Sequence, residues 1–467
     1  MRITFIDPEG TLRGLNTGLA YLSSILTKKG HNVEVIDFNN KKENKKKRLE
    51  KVKNAEIIGI SVKTSTLAST IKISKKIKEI NDNALLICGG AHISIDGHHF
   101  LENNDIFKIG LIGEAEQSFL EIVSGKPLNE IKGIAYREGK EIITNEKGPF
   151  DKNLDNLPFP EYNYFDSFEG TIEKYPILTS RGCPYQCIFC SVGKIIGKLW
   201  RFRSAENMVE ELIRAKTRYN SKEFLVLDDN FTLNIQRAKE FCRLLIKKKV
   251  HMSWSCPNGI RADRLDEELV SLMKRSGCRH ISIGVESGSP EVFKKVNKGE
   301  KLEDIERAIG LIRKYKIKTE GFFIIGLPGS NVRTVEESMA FAKKIKIDSP
   351  IWNILVPYPK TAFWTLIKQD EDVKFLRDWR EGFHFGGEPK VVFETPDFTA
   401  KERVKMFYTA NLKFRRYLAL LDHRNSYLQH MTQLIKLIWK YDPLRFFNHM
   451  SYISYRFLAN KIFNKPF

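Results

Sequence analysis

The chain has 467 residues, of which 42% are hydrophobic, 11% aromatic and 29% charged. That length gives room for two or three domains at roughly 100 to 200 residues each and excludes a peptide ligand or a single small module. The composition excludes wholesale disorder. Lys and Arg number 77 against 57 Asp and Glu, a formal net charge of +20, which suits nucleic acid, a phosphate-bearing substrate or an anionic membrane and says nothing about fold.

The opening MRITFIDPEG runs directly into a strand pattern without the apolar core of a signal peptide, so a cytoplasmic protein is expected. Over the first 125 residues, short apolar runs at 3–6, 32–36, 56–62, 84–88 and 107–112 predict buried strands. Helical spacing at 17–29, 68–80 and 116–123 separates them, and this alternation predicts a doubly wound parallel sheet. The basic run 41–53, KKENKKKRLEKVK, reads as a solvated face. Residues 126–174 scatter Pro and Gly and predict a hairpin followed by a linker.

Beyond the linker, strand patterns at 177–180, 223–227, 252–256, 280–285, 318–325 and 352–356 alternate with helical ones at 205–219, 235–248, 267–275, 302–314 and 335–344. Six such units predict a partial (β/α)6 barrel of the TIM type, with its site at the C-terminal ends of the strands. From about residue 398 the strand signal disappears. The expected organisation is therefore a doubly wound domain at 1–126, a hairpin and linker at 127–174, a (β/α)6 core at 175–397 and a basic, aromatic-rich helical region at 398–467.

Seven cysteines in a reducing compartment point to metal or chemistry more than to disulfides. Three of them, Cys183, Cys187 and Cys190, follow the first barrel strand in RGCPYQCIFC with C-x3-C-x2-C spacing. A closed structural zinc site usually shows four ligands, often as two C-x2-C knuckles, and no second knuckle is visible. Three thiolates on a four-iron cubane would instead leave one iron open for catalysis. Cys88, Cys242, Cys256 and Cys278 sit in strand or helix patterns and read as small apolar packing residues.

This loop, with aromatic Phe189 before its last cysteine, resembles that of the radical SAM superfamily. The resemblance implies a [4Fe-4S] cluster whose free iron binds S-adenosylmethionine (SAM) and whose electron cleaves it to a 5′-deoxyadenosyl radical. Later segments resemble the family in the same order. Asp228 and Asp229 in VLDDNFT match the place that holds the methionine amino group, although a helix N-cap explains Asp229 or Asn230 equally well. Arg261 in GIRADRLDEEL would partner the methionine carboxylate. Glu286 and Ser287 in GVESGSP resemble the ribose-contacting pair, and Gly326, Leu327 and Pro328 in GFFIIGLPGS resemble the adenine segment. Pro357, Tyr358 and Pro359 match a P-Y-P turn common in one branch.

That branch often carries a cobalamin (B12)-binding domain in front, and the first 125 residues resemble one. Ser61, Gly89, Gly90, Gly113 and Glu114 match its cofactor-contacting positions, and GEAEQSF also carries Glu116. Lys63 stands where the family's S-x-L motif has Leu. The loop after Asp7, PEGTLRG, lacks the His of the family's D-x-H-x-x-G element, so any corrinoid would be held without an imidazole from this loop. Glycine turns kept for strand-to-helix packing alone are the alternative. His92 reads either as reaching a cofactor tail or as a hydrogen-bonded loop residue.

The resemblance implies a cobalamin-dependent radical SAM methyltransferase acting on an unactivated carbon of a small-molecule or lipid-like substrate, with flavodoxin or ferredoxin as electron donor. Oxidative cyclisation or another radical rearrangement on the same domains is the nearest alternative. A non-enzymatic cluster protein that binds nucleic acid is the alternative of a different class, against which the basic surplus lies far in sequence from the cysteines. Residues 401–467 hold 13 Lys and Arg against 3 Asp and Glu. This tail is expected to cap the barrel, and peripheral contact with an anionic membrane is its second reading.

Overall fold

Alternating apolar strands and amphipathic helices produce two parallel sheet systems in this computed structural model, which describes residues 1–10, 14–39, 44–148, 150–383, 388–421 and 427–463. The front sheet contains β1 (Arg2–Asp7), β2 (Asn32–Asp37), β3 (Ile57–Ser61), β4 (Leu85–Gly89), β5 (Ile109–Leu111), β6 (Ile134–Glu138) and β7 (Glu141–Thr144). Its strand order is β2-β1-β3-β4-β5-β6-β7. The first five strands are parallel, while β6 and β7 form the expected hairpin and join the same sheet antiparallel to β5. This is the 2-1-3-4-5 doubly wound order, whose switch point between β1 and β3 opens a crevice at the strands' C-terminal ends.

One helix of this domain, Ala91–Glu102, was not foreseen from the sequence. Its pattern is broken by Gly97 and by a non-helical Asp96, but Ile93, Phe100 and Leu101 are buried in the domain core. Tertiary packing therefore outweighs a weak local signal. The basic run also departs from a uniformly solvated face. Residues 41–43 lie outside the described residues, yet Arg48 is 2% exposed, with its Nε 2.8 Å from Asp166 Oδ2 and its guanidinium over the Phe38 ring. A carboxylate more than a hundred residues away makes that burial tolerable, which local charge patterning does not reveal.

The second series comprises β8 (Lys174–Ile177), β9 (Ser180–Arg181), β10 (Arg201–Phe202), β11 (Glu223–Val226), β12 (Ser253–Ile260), β13 (Cys278–Glu286), β14 (Lys318–Ile325) and β15 (Ser349–Ile354). Two units emerge from the packing. The first comprises Met1–Ile283, Gly299–Lys318 and Tyr358–Thr365, and in it β8, β11, β12 and β13 pair in parallel while β9 and β10 form a short antiparallel ladder. The first barrel strand thus ends at Ile177, three residues before the sequence pattern suggests, because Ser180 and Arg181 turn away to pair with Phe202 and Arg201.

The other unit comprises Gly284–Lys298, Thr319–Pro357 and Leu366–Phe467. There β14 and β15 pair in parallel, and the helix Ala400–Lys413 packs on β15 and on the helix Val332–Lys344. Thr399 and Glu402 start that helix with a reciprocal capping box. Helices Tyr427–Tyr441 and Phe446–Phe463 follow, and every element among the described residues from Ala400 onward is helical. No helix among the described residues is long and apolar enough to cross a membrane.

Candidate active site

The three cysteines sit on an irregular loop between β9 and the short helix Val192–Ile195, each half-buried and none in a disulfide. The remaining four cysteines are buried and free, as small packing residues are. Gly182 enters the loop at φ +85°, where a Cβ would collide with the Leu199 carbonyl. The Cys190 N–H donates to the Cys187 carbonyl at 3.0 Å, and the Phe363 N–H donates to Ile188 O at 2.9 Å, so backbone bonds fix the loop from inside and outside. Burial pushes the Cys190 thiol up to about 12 against the opposing Val192 backbone hydrogen bond, with Cys187 and Cys183 raising it further, and burial also raises Cys183. Among the described residues no three His, Cys, Asp or Glu side chains converge on a point suited to a single metal ion. A cubane places its irons at separate corners, so its three thiolates need not converge.

Asp228 and Asp229 have different surroundings. Asp228 is 2% exposed and accepts from Thr179 N at 2.6 Å, Thr179 Oγ1 and Ser180 Oγ, with Arg237 Nη2 3.8 Å away. Its carboxylate therefore holds the segment that leads into the cysteine loop. Asp229 is exposed and lines a cavity, where crowding by surrounding protein, followed by the charge of Asp228, raises its carboxyl to about 6. Asn230, which sequence reasoning treated only as a cap, lies with Nδ2 3.9 Å from Cys183 Sγ, and its buried Oδ1 has no hydrogen-bond partner. A buried amide oxygen left unpaired is unusual and marks a place where a further group would be accommodated.

Arg261 lies with its guanidinium 3.5 Å from the Tyr185 ring centre, its Nε 3.0 Å from Asp263 Oδ1 and its Nη2 donating to Gly299 O. The buried Glu300 carboxylate is 3.6 Å from the same Nε. The sequence reading missed Tyr185 and Glu300, although Tyr185 lies inside the cysteine motif itself. Phe189 is half-buried on the same loop.

In the other unit, Glu286 ends β13 at φ +62°, a rare backbone state for a long side chain, and it pairs with Lys298 at 3.3 Å. Such strain at a strand end is a recognised marker of a functional position. Ser287 shares a hydrogen bond with Ser338 Oγ at 3.1 Å and accepts from the Ser289 N–H. Gly326, Leu327 and Pro328 form the turn after β14, with Leu327 2% exposed.

In the first unit, the C-terminal ends of β3 and β4 open into a cavity that Ser61, Gly89, Gly90, Gly113 and Glu114 all line. Ser180 and Arg181, which lead into the cysteine loop, and Asp229 line it as well. Phe5, Leu19 and Phe119 supply apolar wall, while Asn16 donates to both Asp7 Oδ1 and Ser61 Oγ at its edge. Gly90 is at φ +105°, where a Cβ would lie 2.9 Å from the Val62 carbonyl, so this glycine serves strand-to-helix packing. At Gly18 a Cβ would meet only Asn16 Oδ1, at 3.4 Å, which leaves open space on the cavity side. A planar, largely apolar cofactor with polar edges fits this lining. His92 is buried, and its Nδ1 lies 3.1 Å from Thr64 Oγ1.

Two glutamates of the GEAEQSF loop connect this cavity to the cysteine loop. Glu114 pairs with Arg201 and lies 3.3 Å from Arg181, while Glu116 lies 2.7 Å from Arg181, whose guanidinium also sits over the Tyr21 ring. Burial alone would raise the Glu116 carboxyl, but the Arg181 charge and hydrogen bond hold it below its ordinary value. Because the folded value is lowered, this group contributes stability above the unfolded value near 4.5 and loses it as pH falls through the folded one. Urea unfolding followed from pH 7 to about pH 2.5 is expected to show Glu116→Gln less stable at pH 7 by about 1.5–3 kcal/mol, with a gap that holds to about pH 4.5 and narrows below it. A gap of constant size would remove the carboxylate's role.

Family models match two segments of the chain. The radical SAM superfamily matches residues 177–342, and the B12 binding domain matches residues 11–123. The uncharacterized methyltransferase PH0819 of Pyrococcus horikoshii is 30% identical over 406 residues, covering 85% of this chain and 87% of that protein. The anaerobic magnesium-protoporphyrin IX monomethyl ester cyclase of Cereibacter sphaeroides is 25% identical over 398 residues, covering 80% of this chain and 64% of the cyclase. Among solved structures, the radical S-adenosylmethionine methyltransferase TsrM of Kitasatospora setae, with cobalamin and a [4Fe-4S] cluster bound, aligns with a TM-score of 0.76 at 17% identity. That alignment covers 95% of this chain and 99% of TsrM.

Proposed function

This chain belongs to the radical SAM superfamily and carries a B12 binding domain, and from that premise we propose that it is a cobalamin-dependent methyltransferase acting on an unactivated carbon of a small-molecule or lipid-like substrate. The observation that carries this reading is a cavity lined both by the strand ends of the B12-type sheet and by Ser180, Arg181 and Asp229. When bound, a [4Fe-4S] cluster would supply the electron that cleaves SAM and a corrinoid would carry the methyl group.

Cys183, Cys187 and Cys190 hold the cluster. Asp229, an exposed carboxylate that lines this cavity, receives the methionine ammonium of SAM. Asp228 keeps Thr179 and Ser180 in place beneath it. Ser61, Gly89, Gly90 and Gly113 border the corrin, and Glu114 ties its loop to Arg201. The family resemblance assigns Glu286 and Ser287 to the ribose and Gly326, Leu327 and Pro328 to the adenine. Arg261 is held by Asp263 and Glu300 and reaches the methionine carboxylate only by sharing those partners. A low-potential donor of the flavodoxin or ferredoxin kind supplies the electron.

The cyclase relative favours the second reading, a radical ring closure without methyl transfer. Anaerobic reconstitution with iron, sulfide, cobalamin and methyl-labelled SAM separates the two. Methyl transfer is expected to yield both S-adenosylhomocysteine and 5′-deoxyadenosine, with label in the corrinoid. Release of 5′-deoxyadenosine with neither labelled corrinoid nor S-adenosylhomocysteine would point to ring closure.

A further inference from the structure

We propose that the turn joining the last two helices is a membrane-docking surface that places apolar side chains in the face of an anionic bilayer. Among the described residues, the three most exposed large hydrophobic side chains lie between positions 439 and 447. Trp439 is 66% exposed, Leu444 99% and Phe447 84%. The helix Tyr427–Tyr441 buries Leu434 and Ile438 and presents Ile435 and Trp439, one turn apart, to solvent. The rings of Trp439 and Phe446 meet edge to face at 5.7 Å, as do those of Phe446 and Phe447. An aromatic cluster with an aliphatic tip in water is a surface built for contact.

Charge selects the partner. Lys436, Lys440 and Arg445 are exposed around the cluster. Residues 427–467 contain six Lys and Arg and one carboxylate, Asp442. That carboxylate is turned inward, 2.8 Å from His449 Nε2, while His449 Nδ1 lies 2.7 Å from the Tyr417 hydroxyl. The same contacts anchor the turn to the body of its unit. Aromatic rings flanked by lysine and arginine suit the headgroup layer, where basic groups meet anionic lipid and apolar ones reach the acyl boundary. Single-stranded nucleic acid is matched less well, since base stacking needs open ring faces and gains nothing from Leu444. The surface lies on a bilayer, because no described helix is long and apolar enough to cross one.

This inference does not depend on the reaction. Its test is co-sedimentation of the full chain at low salt with vesicles of phosphatidylcholine alone or mixed with phosphatidylglycerol. Binding to the mixed vesicles is expected to exceed binding to the neutral ones at least tenfold and to weaken as salt rises. The exposed-site variant Leu444→Asp with Phe447→Asp is expected to lose at least tenfold in binding with unchanged circular dichroism. Lys436→Glu, Lys440→Glu and Arg445→Glu together should abolish the preference for phosphatidylglycerol. Wild-type protein that stays in the supernatant, or an apolar-tip variant that binds like wild type, would overturn the proposal. So would a dimer that becomes monomeric in the tip variant without vesicle binding, or a salt-sensitive RNA shift in place of vesicle binding.

Discussion

Replacing any one of Cys183, Cys187 or Cys190 with alanine is expected to abolish release of 5′-deoxyadenosine from SAM, while the same change at Cys242 or Cys256 leaves it standing. Each loop thiol is half-buried and outside any disulfide, as a thiol that holds one iron must be. Removing one ligand opens a second iron to solvent and leaves a cluster that two thiols cannot retain. Cys242 and Cys256 are fully buried apolar packing, and burial raises both thiols far from ionisation at neutral pH. Their loss is expected to cost stability, on the order of a small cavity, without touching the chemistry. Iron content and the visible spectrum after anaerobic reconstitution, followed by chromatography of the nucleoside product, measure both halves. A Cys187→Ala protein that still cleaves SAM would remove the three-thiol assignment.

Asp228→Ala is expected to be among the most destabilising single changes in the first unit, by about 3–5 kcal/mol, because it leaves the buried Arg237 charge without the carboxylate 3.8 Å away and the Thr179 N–H without its acceptor. Arg237 is 4% exposed on its side chain, and burial already lowers its guanidinium to about 10, so it has little reserve against losing the carboxylate. The neighbouring change, Asp229→Asn, is expected to behave in the opposite way. Asp229 is exposed at the cavity and its raised carboxyl gains nothing from being charged, so neutralising it leaves stability near wild type while SAM affinity falls by at least tenfold. Urea unfolding followed by tryptophan fluorescence and SAM titration by calorimetry separate the pair. Equal stability losses in the two variants would contradict the division of roles.

The positions of strands and long helices were legible because they depend on local spacing. The helices at Glu267–Arg275 and Leu302–Lys314 and the strand Lys318–Ile325 fall where periodicity predicts them, since a buried stripe or alternating face is written into neighbouring residues. The helix Ala91–Glu102 was not legible, because Gly97 and three histidines dilute its apolar stripe and only contact with the sheet supplies the missing stabilisation. The early end of β8 was likewise hidden, since β9 exists only through its pairing with β10.

The sequence by itself determined the order of βα units, the three-cysteine loop and the glycine and serine positions at the ends of β3 and β4, all of which depend on residue type at fixed spacing. Only the tertiary structure decided which partner each charged residue meets. It turns Asp228 onto Thr179 and leaves Asp229 facing the cavity, joins Glu114 and Glu116 to Arg201 and Arg181, and buries Arg48 against Asp166. The reason is physical: a buried charge is tolerable only beside its counter-charge, and these partners are brought together by packing from distant parts of the chain, which no local pattern encodes.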